Sequence, residues 1–306
     1  MQLLRGPMLA LADNTRVEGL VRKSGFSRGL VRRFIAGEDL DAALGAARRI
    51  ADQGLTTTLD QLGENVATAD EARTAVGSYV EILRRMAAAG LEPNTSVKLT
   101  MLGLDLGDDL ARENMLRILA VAREVSGFVR IDMEGSAYTD RTIAITEALL
   151  DRFPAEVGTV IQSYLLRSAD DVERMIRRHA RVRLVKGAYA EPATVAFQDR
   201  REVDAAYDRL SARLLEAGTY PAIATHDPAL IQAAKSHAAR LGIAPERWEF
   251  QMLYGVRRDE QAALKAAGHR VRVYVPFGTQ WYPYFTRRIA ERPANALFVL
   301  RQLVSG

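Results

Sequence analysis

Residues 128–132 read FVRID, and residues 158–162 and 182–186 read GTVIQ and VRLVK. Each is a short run of aliphatic and β-branched residues that ends on a polar or charged residue. The segments between them, residues 141–152 and 169–179, carry aliphatic residues at three- and four-residue spacing against charged ones, which is typical of amphipathic helices. Strands that alternate with helices in this way predict βα units and a parallel sheet.

The alternation extends in both directions along the chain. Further strands are predicted at 55–59, 96–99, 221–225, 248–251 and 271–275, and further helices at 67–89, 110–125, 201–216, 228–241 and 257–267. Eight strands favour an α/β fold with a closed (β/α)8 TIM-type barrel over an open dinucleotide-binding sheet of about six strands. No G-x-G-x-x-G motif follows an early strand, which also disfavours the open sheet.

The first part of the chain has a different pattern. Helices are predicted at 7–11, 16–35 and 40–50, with a break near residues 24–25. Residues 1–50 are therefore predicted to form an N-terminal helical extension, and residues 51–306 the barrel.

Composition excludes several classes of function. The chain has 306 residues, 48% of them hydrophobic, with a net charge of +4 and no cysteine. The absence of cysteine excludes disulfides, thiolate metal sites and a cysteine nucleophile, and it fits a reducing cytoplasm. The small, dispersed positive charge does not support nucleic-acid binding. No window approaches the ~18 uninterrupted apolar residues of a membrane span, so only peripheral contact with a membrane remains open.

In a barrel, the C-terminal ends of the strands and the loops after them meet at one mouth. Every predicted strand ends on a polar group: Asp60, Lys98, Asp132 with Met133, Gln162, Lys186 with the loop to Tyr189, Thr225 with His226 and Asp227, Gln251, and Tyr274. A single polar residue of this kind is ordinary in a barrel interior, and the complete series is the informative feature.

Some of these residues carry specific chemistry. A buried Lys98 ammonium requires an anionic partner or a lowered pKa, and Asp132 on the next strand is a candidate partner. Arg183 can donate to an electron-accepting ring or to a carboxylate. Gly187 and Ala188 let the backbone approach a flat ligand closely. His226 can contact a cofactor phosphate or cap the following helix. No two histidines have metal-ligand spacing, so no metal site is predicted.

The last predicted helix, around residues 281–295, presents an unusual face. Tyr284, Arg288, Glu291, Asn295 and Phe298 fall on one side at 3.6 residues per turn, with Arg287 about 100° away. A solvated Arg/Glu face is one explanation. The other is a carboxylate clamp, in which two guanidinium groups act together with Lys98.

These residues resemble the proline dehydrogenase family, including the catalytic barrel of the bifunctional proline utilization proteins. The resemblance covers about residues 55–298. Its most specific parts are residues 183–189, RLVKGAY, and 284–291, YFTRRIAE, supported by residues 96–99, 131–132, 160–162, 224–227 and 250–251. It implies a distorted (β/α)8 barrel with the final helix over the mouth. It also implies FAD as cofactor and oxidation of L-proline to Δ1-pyrroline-5-carboxylate by hydride transfer to flavin N5.

The resemblance also implies roles for individual residues. Lys98, Arg287 and Arg288 would hold the proline carboxylate, with Tyr274 and Tyr284 beside the ring and Glu291 orienting its neighbours. The residues matching the family's catalytic positions are Asp132, Tyr189, Lys98 and Arg183. The residues matching flavin contacts are Met133, Gln162, Arg183, Val185, Lys186, Gly187, Ala188, Thr225, His226 and Gln251.

Partners follow from the same resemblance. A protein without cysteine, and without a recognisable attachment motif, is expected to bind FAD non-covalently. Electrons are expected to pass to a membrane quinone, and a separate pyrroline-5-carboxylate dehydrogenase is the expected downstream partner of a single-function enzyme. Two alternatives remain at this point: a barrel lyase that forms a Schiff base on Lys98, and a non-catalytic proline-binding barrel.

Overall fold

The structure, a computed structural model, describes residues 31–290, with the side chains of residues 31–286. Eight parallel strands close into a barrel in chain order, and β8 pairs with β1. The strands are β1 (Thr56–Gln61), β2 (Asn94–Val97), β3 (Phe128–Ile131), β4 (Val157–Gln162), β5 (Arg181–Val185), β6 (Ala222–Ala224), β7 (Glu249–Leu253) and β8 (Val271–Phe277). The predicted (β/α)8 barrel is confirmed.

Helices alternate with the strands. They are α1 (Leu40–Ala51), α2 (Ala69–Ala88), α3 (Asp108–Glu124), α4 (Thr139–Leu150), α5 (Ser168–Arg177), α6 (Arg200–Ala217), α7 (Pro228–Arg240), α8 (Arg258–Ala266) and α9 (Tyr282–Ala290). Short 3-10 turns lie at Thr100–Leu102, Ser136–Tyr138 and Pro245–Arg247. Between residues 31 and 290, no helix is long and apolar enough to cross a membrane.

Local sequence signals explain where several helices begin. Thr68 and Glu71 form a reciprocal capping box at the start of α2, which satisfies backbone N–H groups that have no partner within the helix. Asp227 caps α7, and Pro228 occupies its first turn, where a missing N–H costs nothing.

The helix before β1 takes an outer position on the barrel. Helix α1 packs against both β1 and β8, so it covers the seam between the last and first strands. The start of α9 packs instead with Phe34 and Ile35 and with Leu62, which directly follows β1. The final helix therefore begins at the C-terminal end of the barrel, as predicted.

Two predictions about the N-terminal part remain open. Helix 7–11 and most of helix 16–35 lie outside the described residues. The division at residue 50 into an extension and a barrel stays a prediction.

Strand β2 ends earlier than its sequence pattern indicated. It was predicted over residues 96–99, but it spans Asn94–Val97, in register with β3 from Phe128 to Ile131. The carbonyl of Lys98 accepts a hydrogen bond from the Met101 amide at 3.1 Å and so starts the next turn. Asn94, Thr95 and Ser96 are polar but buried in the strand. A polar start of this kind does not show the apolar pattern by which a strand is predicted. The shift places Lys98 at the rim of the mouth.

The opposite end of the barrel interior is charged and densely packed. Arg272 Nε donates to Glu249 at 2.9 Å, and both side chains are almost fully buried. Burial acts to raise the pKa of Glu249, but Arg272, Gln251 and Arg130 together outweigh it and the pKa is lowered. A lowered carboxyl pKa stabilises the fold at neutral pH, and this contribution is lost as the pH falls through it. Beside this pair, the Arg130 guanidinium lies 4.8 Å from the centre of the Phe128 ring.

We expect Gly158→Ala on β4 to destabilise the barrel. A Cβ there would meet the Arg181 carbonyl oxygen and lie 2.8 Å from both Arg130 Nη1 and Phe128 Cζ. Overpacking of a tight interior costs ~1–3 kcal/mol, measurable as a lower midpoint of urea unfolding. The control is Gly77→Ala in α2, where nothing lies within 4 Å of the new Cβ and helix propensity should add ~1 kcal/mol. An unchanged midpoint for Gly158→Ala would contradict the packing described above.

Candidate active site

A buried lysine lies between two carboxylates at the mouth of the barrel. Lys98 Nζ is 3.4 Å from Asp60 Oδ1 at the end of β1 and 4.0 Å from Asp132 Oδ2 just after β3. Burial acts to lower the pKa of Lys98, but Asp60 and then Asp132 outweigh it and the pKa is raised. Lys98 is therefore held as an ammonium ion. The sequence left two possibilities for a buried Lys98, an anionic partner or a lowered pKa. The structure shows the anionic partner.

The Asp132 carboxylate joins three strands. Arg183 Nη1 on β5 donates to its Oδ1 at 2.8 Å, and the Tyr274 hydroxyl on β8 donates to its Oδ2 at 2.8 Å. The Arg183 guanidinium also lies 5.1 Å from the centre of the Tyr274 ring. The predicted residues Lys98, Asp132, Arg183 and Tyr274 thus lie together.

The Arg183 guanidinium is held on every side. Its Nη2 donates to the Ser96 hydroxyl at 3.1 Å, and its Nε donates to Gln251 Oε1 at 2.5 Å. The Gln251 amide in turn donates to Glu249 at 2.5 Å. A planar guanidinium with this many acceptors is fixed in both position and orientation.

The predicted flavin residues around β4 and β5 form a second group. Gln162 Nε2 donates to the Glu134 carbonyl at 2.9 Å, and its Oε1 accepts from the Ala188 amide at 3.2 Å. Both ends of the Gln162 amide are therefore fixed to the loops after β3 and β5. Met133, which precedes Glu134, is buried, and Val185 closes β5 at a half-buried position.

Gly187 has a backbone conformation that favours glycine. Its φ is +134°, and an added Cβ would overlap the Tyr164 ring. The loop from Lys186 to Tyr189 can therefore pack this closely on the Tyr164 ring only with glycine at position 187. Tyr189 follows at a half-buried position.

Three predicted cofactor residues at β5 and β6 have partners of their own. Lys186 Nζ is 2.5 Å from Asp204 and 3.1 Å from Asp227. The Thr225 hydroxyl accepts from the Asp227 amide at 3.1 Å. His226 Nε2 accepts from the Leu253 amide at 2.9 Å. Because Asp227 caps α7, the helix-capping alternative for His226 is wrong, and its contact with a cofactor stays a prediction.

The predicted substrate residues of the last helix are described only in part. Tyr284 is buried at the start of α9, in an aromatic cluster with Trp281 and Phe285. The side chains of Arg287 and Arg288, and the whole of Glu291, lie outside the described residues. Their roles remain predictions.

Three residues of this site were not assigned from the sequence. Asp60 was noted as a polar strand end but not as the partner of Lys98, and Ser96 was read only as part of a strand. Glu134 is buried, and its carboxylate accepts from the Thr100 amide at 3.2 Å and the Thr100 hydroxyl at 2.6 Å. The available signal for Glu134 was a carboxyl two residues beyond a strand end. Its partner lies 34 residues away, so the sequence could not supply the pairing.

Comparison with known proteins identifies the family of the chain. The family profile described as proline dehydrogenase matches residues 43–301. The chain is 41% identical to "Proline dehydrogenase" of Deinococcus radiodurans, over 100% of this chain and 99% of the relative. It is 40% identical to "Proline dehydrogenase 1" of Bacillus subtilis, over 99% of each.

A solved structure agrees with the fold. Proline utilization A (PutA) from Bdellovibrio bacteriovorus, inactivated by N-propargylglycine, superposes with a TM-score of 0.81 at 27% identity. The match covers 87% of this chain and 33% of that one. With a family profile across most of the barrel and whole-length relatives at about 40% identity, the chain belongs to the proline dehydrogenase family of enzymes.

Proposed function

We propose that this enzyme oxidises L-proline to Δ1-pyrroline-5-carboxylate with non-covalently bound FAD. The observation that carries the proposal is the Lys98 ammonium, buried at the mouth between Asp60 and Asp132 beside a fixed Arg183. A buried cation at the open end of a barrel suits a small anionic or zwitterionic substrate. The family membership of the chain supports proline as that substrate.

The strand ends fit a flavin. Gly187 lets the loop after β5 pack closely on the Tyr164 ring, and the Ala188 amide of the same loop donates to Gln162 Oε1 at 3.2 Å. We assign the flavin ring to the surface formed by Gln162, Arg183, Val185 and the loop from Lys186 to Ala188, with Met133, Thr225, His226 and Gln251 as further contacts. When bound, FAD supplies the acceptor for the hydride that leaves the proline ring.

The protein's own groups act mainly by binding and orientation. Lys98, together with Arg287 and Arg288, holds the substrate carboxylate, and Tyr274 and Tyr284 border the ring. Arg183 supplies positive charge beside the reacting groups, and Asp132 fixes both Arg183 and Tyr274. Tyr189 lies between the substrate and flavin positions. Orientation of this kind contributes rate because the reacting groups are already aligned.

The two alternative functions have less support. A Schiff-base lyase requires a neutral Lys98 amine at working pH, whereas its two carboxylate neighbours raise the Lys98 pKa. A non-catalytic proline-binding barrel does not agree with membership of an enzyme family.

We extend the proposal to the partners of the reaction. Electrons would leave through a quinone, by peripheral contact of a cytoplasmic protein with the membrane. The product would pass to a separate pyrroline-5-carboxylate dehydrogenase. Support for these steps is the family resemblance alone.

The cofactor can be tested directly. We expect the purified protein to show a flavin spectrum that L-proline bleaches in the absence of oxygen. Acid precipitation should release FAD into the supernatant, because no covalent attachment holds it. A pellet that remains yellow would contradict non-covalent binding, and a spectrum unaffected by proline would contradict the proposed reaction.

The flavin surface predicts the effect of Gly187→Ala. The added methyl group would overlap Tyr164, and a displaced loop should weaken FAD binding by about 1–3 kcal/mol, or roughly five- to hundredfold. FAD content per folded protein is the measurement. The control is Gly90→Ala, which has φ +70° with nothing within 4 Å. An equal FAD content in both variants would place the flavin elsewhere.

The carboxylate clamp predicts the effects of Arg287→Met, Arg288→Met and Arg288→Lys. Each charge-assisted contact is worth ~1.5–3 kcal/mol, so the methionine variants should lose roughly ten- to hundredfold in the efficiency of flavin reduction by proline. Arg288→Lys should remain impaired, because lysine restores charge without the planar fork. Stopped-flow reduction at matched FAD content is the measurement. Near-wild-type rates in both methionine variants would mean that this helix face is merely solvated.

A further inference from the structure

Asp60 lies beside Lys98, the cation that most strongly favours its charged form. It lies on β1 with 1% of its surface exposed, and its Oδ1 is 3.4 Å from Lys98 Nζ. Its second oxygen, Oδ2, has no hydrogen-bond partner among residues 31–286. A buried carboxylate is costly unless it is paired, so the Lys98 ammonium is what compensates Asp60.

The Asp132 carboxylate forms its hydrogen bonds with other residues. Its two oxygens accept from Arg183 and from Tyr274, each at 2.8 Å, and Lys98 Nζ lies 4.0 Å away, beyond hydrogen-bonding distance. The sequence suggested Asp132 as a partner of Lys98, and the two form an ion pair at 4.0 Å. Asp60 is the closer partner, at 3.4 Å, and Asp132 accepts its hydrogen bonds from Arg183 and Tyr274.

We propose that Asp60 is a positioning residue for substrate binding, whose carboxylate holds the Lys98 side chain in place as a cation facing the substrate carboxylate. This inference rests on the proposed role of Lys98 in binding proline. Asp60 acts through Lys98, not by contact with the substrate.

The proposal has a consequence for pH. Burial acts to lower the pKa of Lys98, and Asp60 is the first of the carboxylates that oppose it. The pKa of Asp60 is raised, chiefly by burial, and the Lys98 ammonium is the main group that opposes this rise, so each group favours the charged form of the other. The titratable and charged groups around Lys98 come from several elements: Asp60 on β1, Glu64 in the loop after it, Tyr79 on α2, Asp132 and Glu134 after β3, Arg183 on β5 and Tyr274 on β8.

The sign of the effect follows from these neighbours. The Lys98 cation is present below its folded pKa and is lost as the pH rises through that value. The raised pKa keeps the cation through the neutral and mildly alkaline range in the native protein. Without the Asp60 charge, the lowering of the Lys98 pKa by burial is opposed mainly by Asp132. Asp132 already accepts hydrogen bonds from two other donors, Arg183 and Tyr274. The Lys98 pKa should then fall, and proline binding should fail at a lower pH than in the native enzyme.

The experiment measures KM for proline and kcat of the FAD-loaded Asp60→Asn variant from roughly pH 6 to pH 10. We expect KM at neutral pH to rise about tenfold or more, with kcat and FAD content much less affected. The alkaline loss of kcat/KM should begin at lower pH than in the native enzyme. Asp60→Glu, which restores the charge, should recover part of the affinity and move the alkaline limb back.

The matched control is Asp171→Asn on α5. Asp171 is also a buried aspartate in an ion pair, 2.7 Å from Arg167 Nε, but it lies on an outer helix. A general effect of losing a buried carboxylate would change stability in both variants. Only Asp60→Asn should change KM and the pH profile.

A double-mutant cycle with Lys98→Met separates this inference from the proposed function. If Asp60 acts through Lys98, Asp60→Asn should add little to KM once Lys98 is methionine. The double variant carries neither charge, so it also tests the pair if Asp60→Asn alone fails to fold. An unchanged KM in Lys98→Met would overturn the proposed binding role of Lys98. If KM rises in Lys98→Met, two results would overturn only the role of Asp60. One is an unchanged KM and alkaline limb in Asp60→Asn, and the other is additive effects of the two substitutions on KM.

Discussion

Asp132 accepts hydrogen bonds from Arg183 on β5 and from Tyr274 on β8, so one carboxylate just after β3 connects strands from different sides of the barrel. These contacts can form only when the sheet is closed and the strands are in register. The positions of Arg183, Tyr274 and Ser96 at the mouth therefore depend on barrel closure. Closure in turn depends on the aliphatic layer between the strands and the outer helices. The site and the fold are stabilised by the same constraint.

The polar interior continues from the mouth towards the other end of the barrel. Arg183 donates to Gln251, Gln251 donates to Glu249, and Glu249 pairs with Arg272. Each group in this series satisfies its neighbour, which is the condition under which buried polar groups are tolerated. Such a network disfavours alternative side-chain positions, because moving one member leaves another unpaired. This rigidity suits the orienting role proposed for the site.

The two cations at the mouth differ in how they are held. Arg183 is surrounded by acceptors and has little freedom to move. Lys98 has one close carboxylate and one more distant one among the described residues, so its ammonium is held by fewer contacts than the guanidinium. A fixed guanidinium suits a stationary neighbour such as the proposed flavin ring, and a less tightly held ammonium suits a substrate that enters and leaves.

Much of the architecture could be predicted from the sequence because its causes are local. Period-two and period-3.6 patterns depend on neighbouring residues, and they identified the eight strands and the helices between them. The cost of burying a charge is also a local property, and it singled out Lys98. The predicted limits of β2 were wrong because its first two residues, Asn94 and Thr95, are polar yet buried, and only the closed barrel makes that burial favourable.

The sequence by itself determined the barrel, the polar residues at its strand ends and the family resemblance. The tertiary structure decided which of those residues are partners. Asp60 and Lys98 are 38 residues apart, and Arg183 and Gln251 are 68 apart. No periodicity relates such pairs, because their distance depends on strand register and on the curvature that closes the sheet. The same closure places α1 over the seam between β1 and β8 and leaves α9 to begin at the mouth. The positions of α1 and α9 depend on which surfaces of the barrel the other helices leave uncovered. That is a property of the folded chain as a whole.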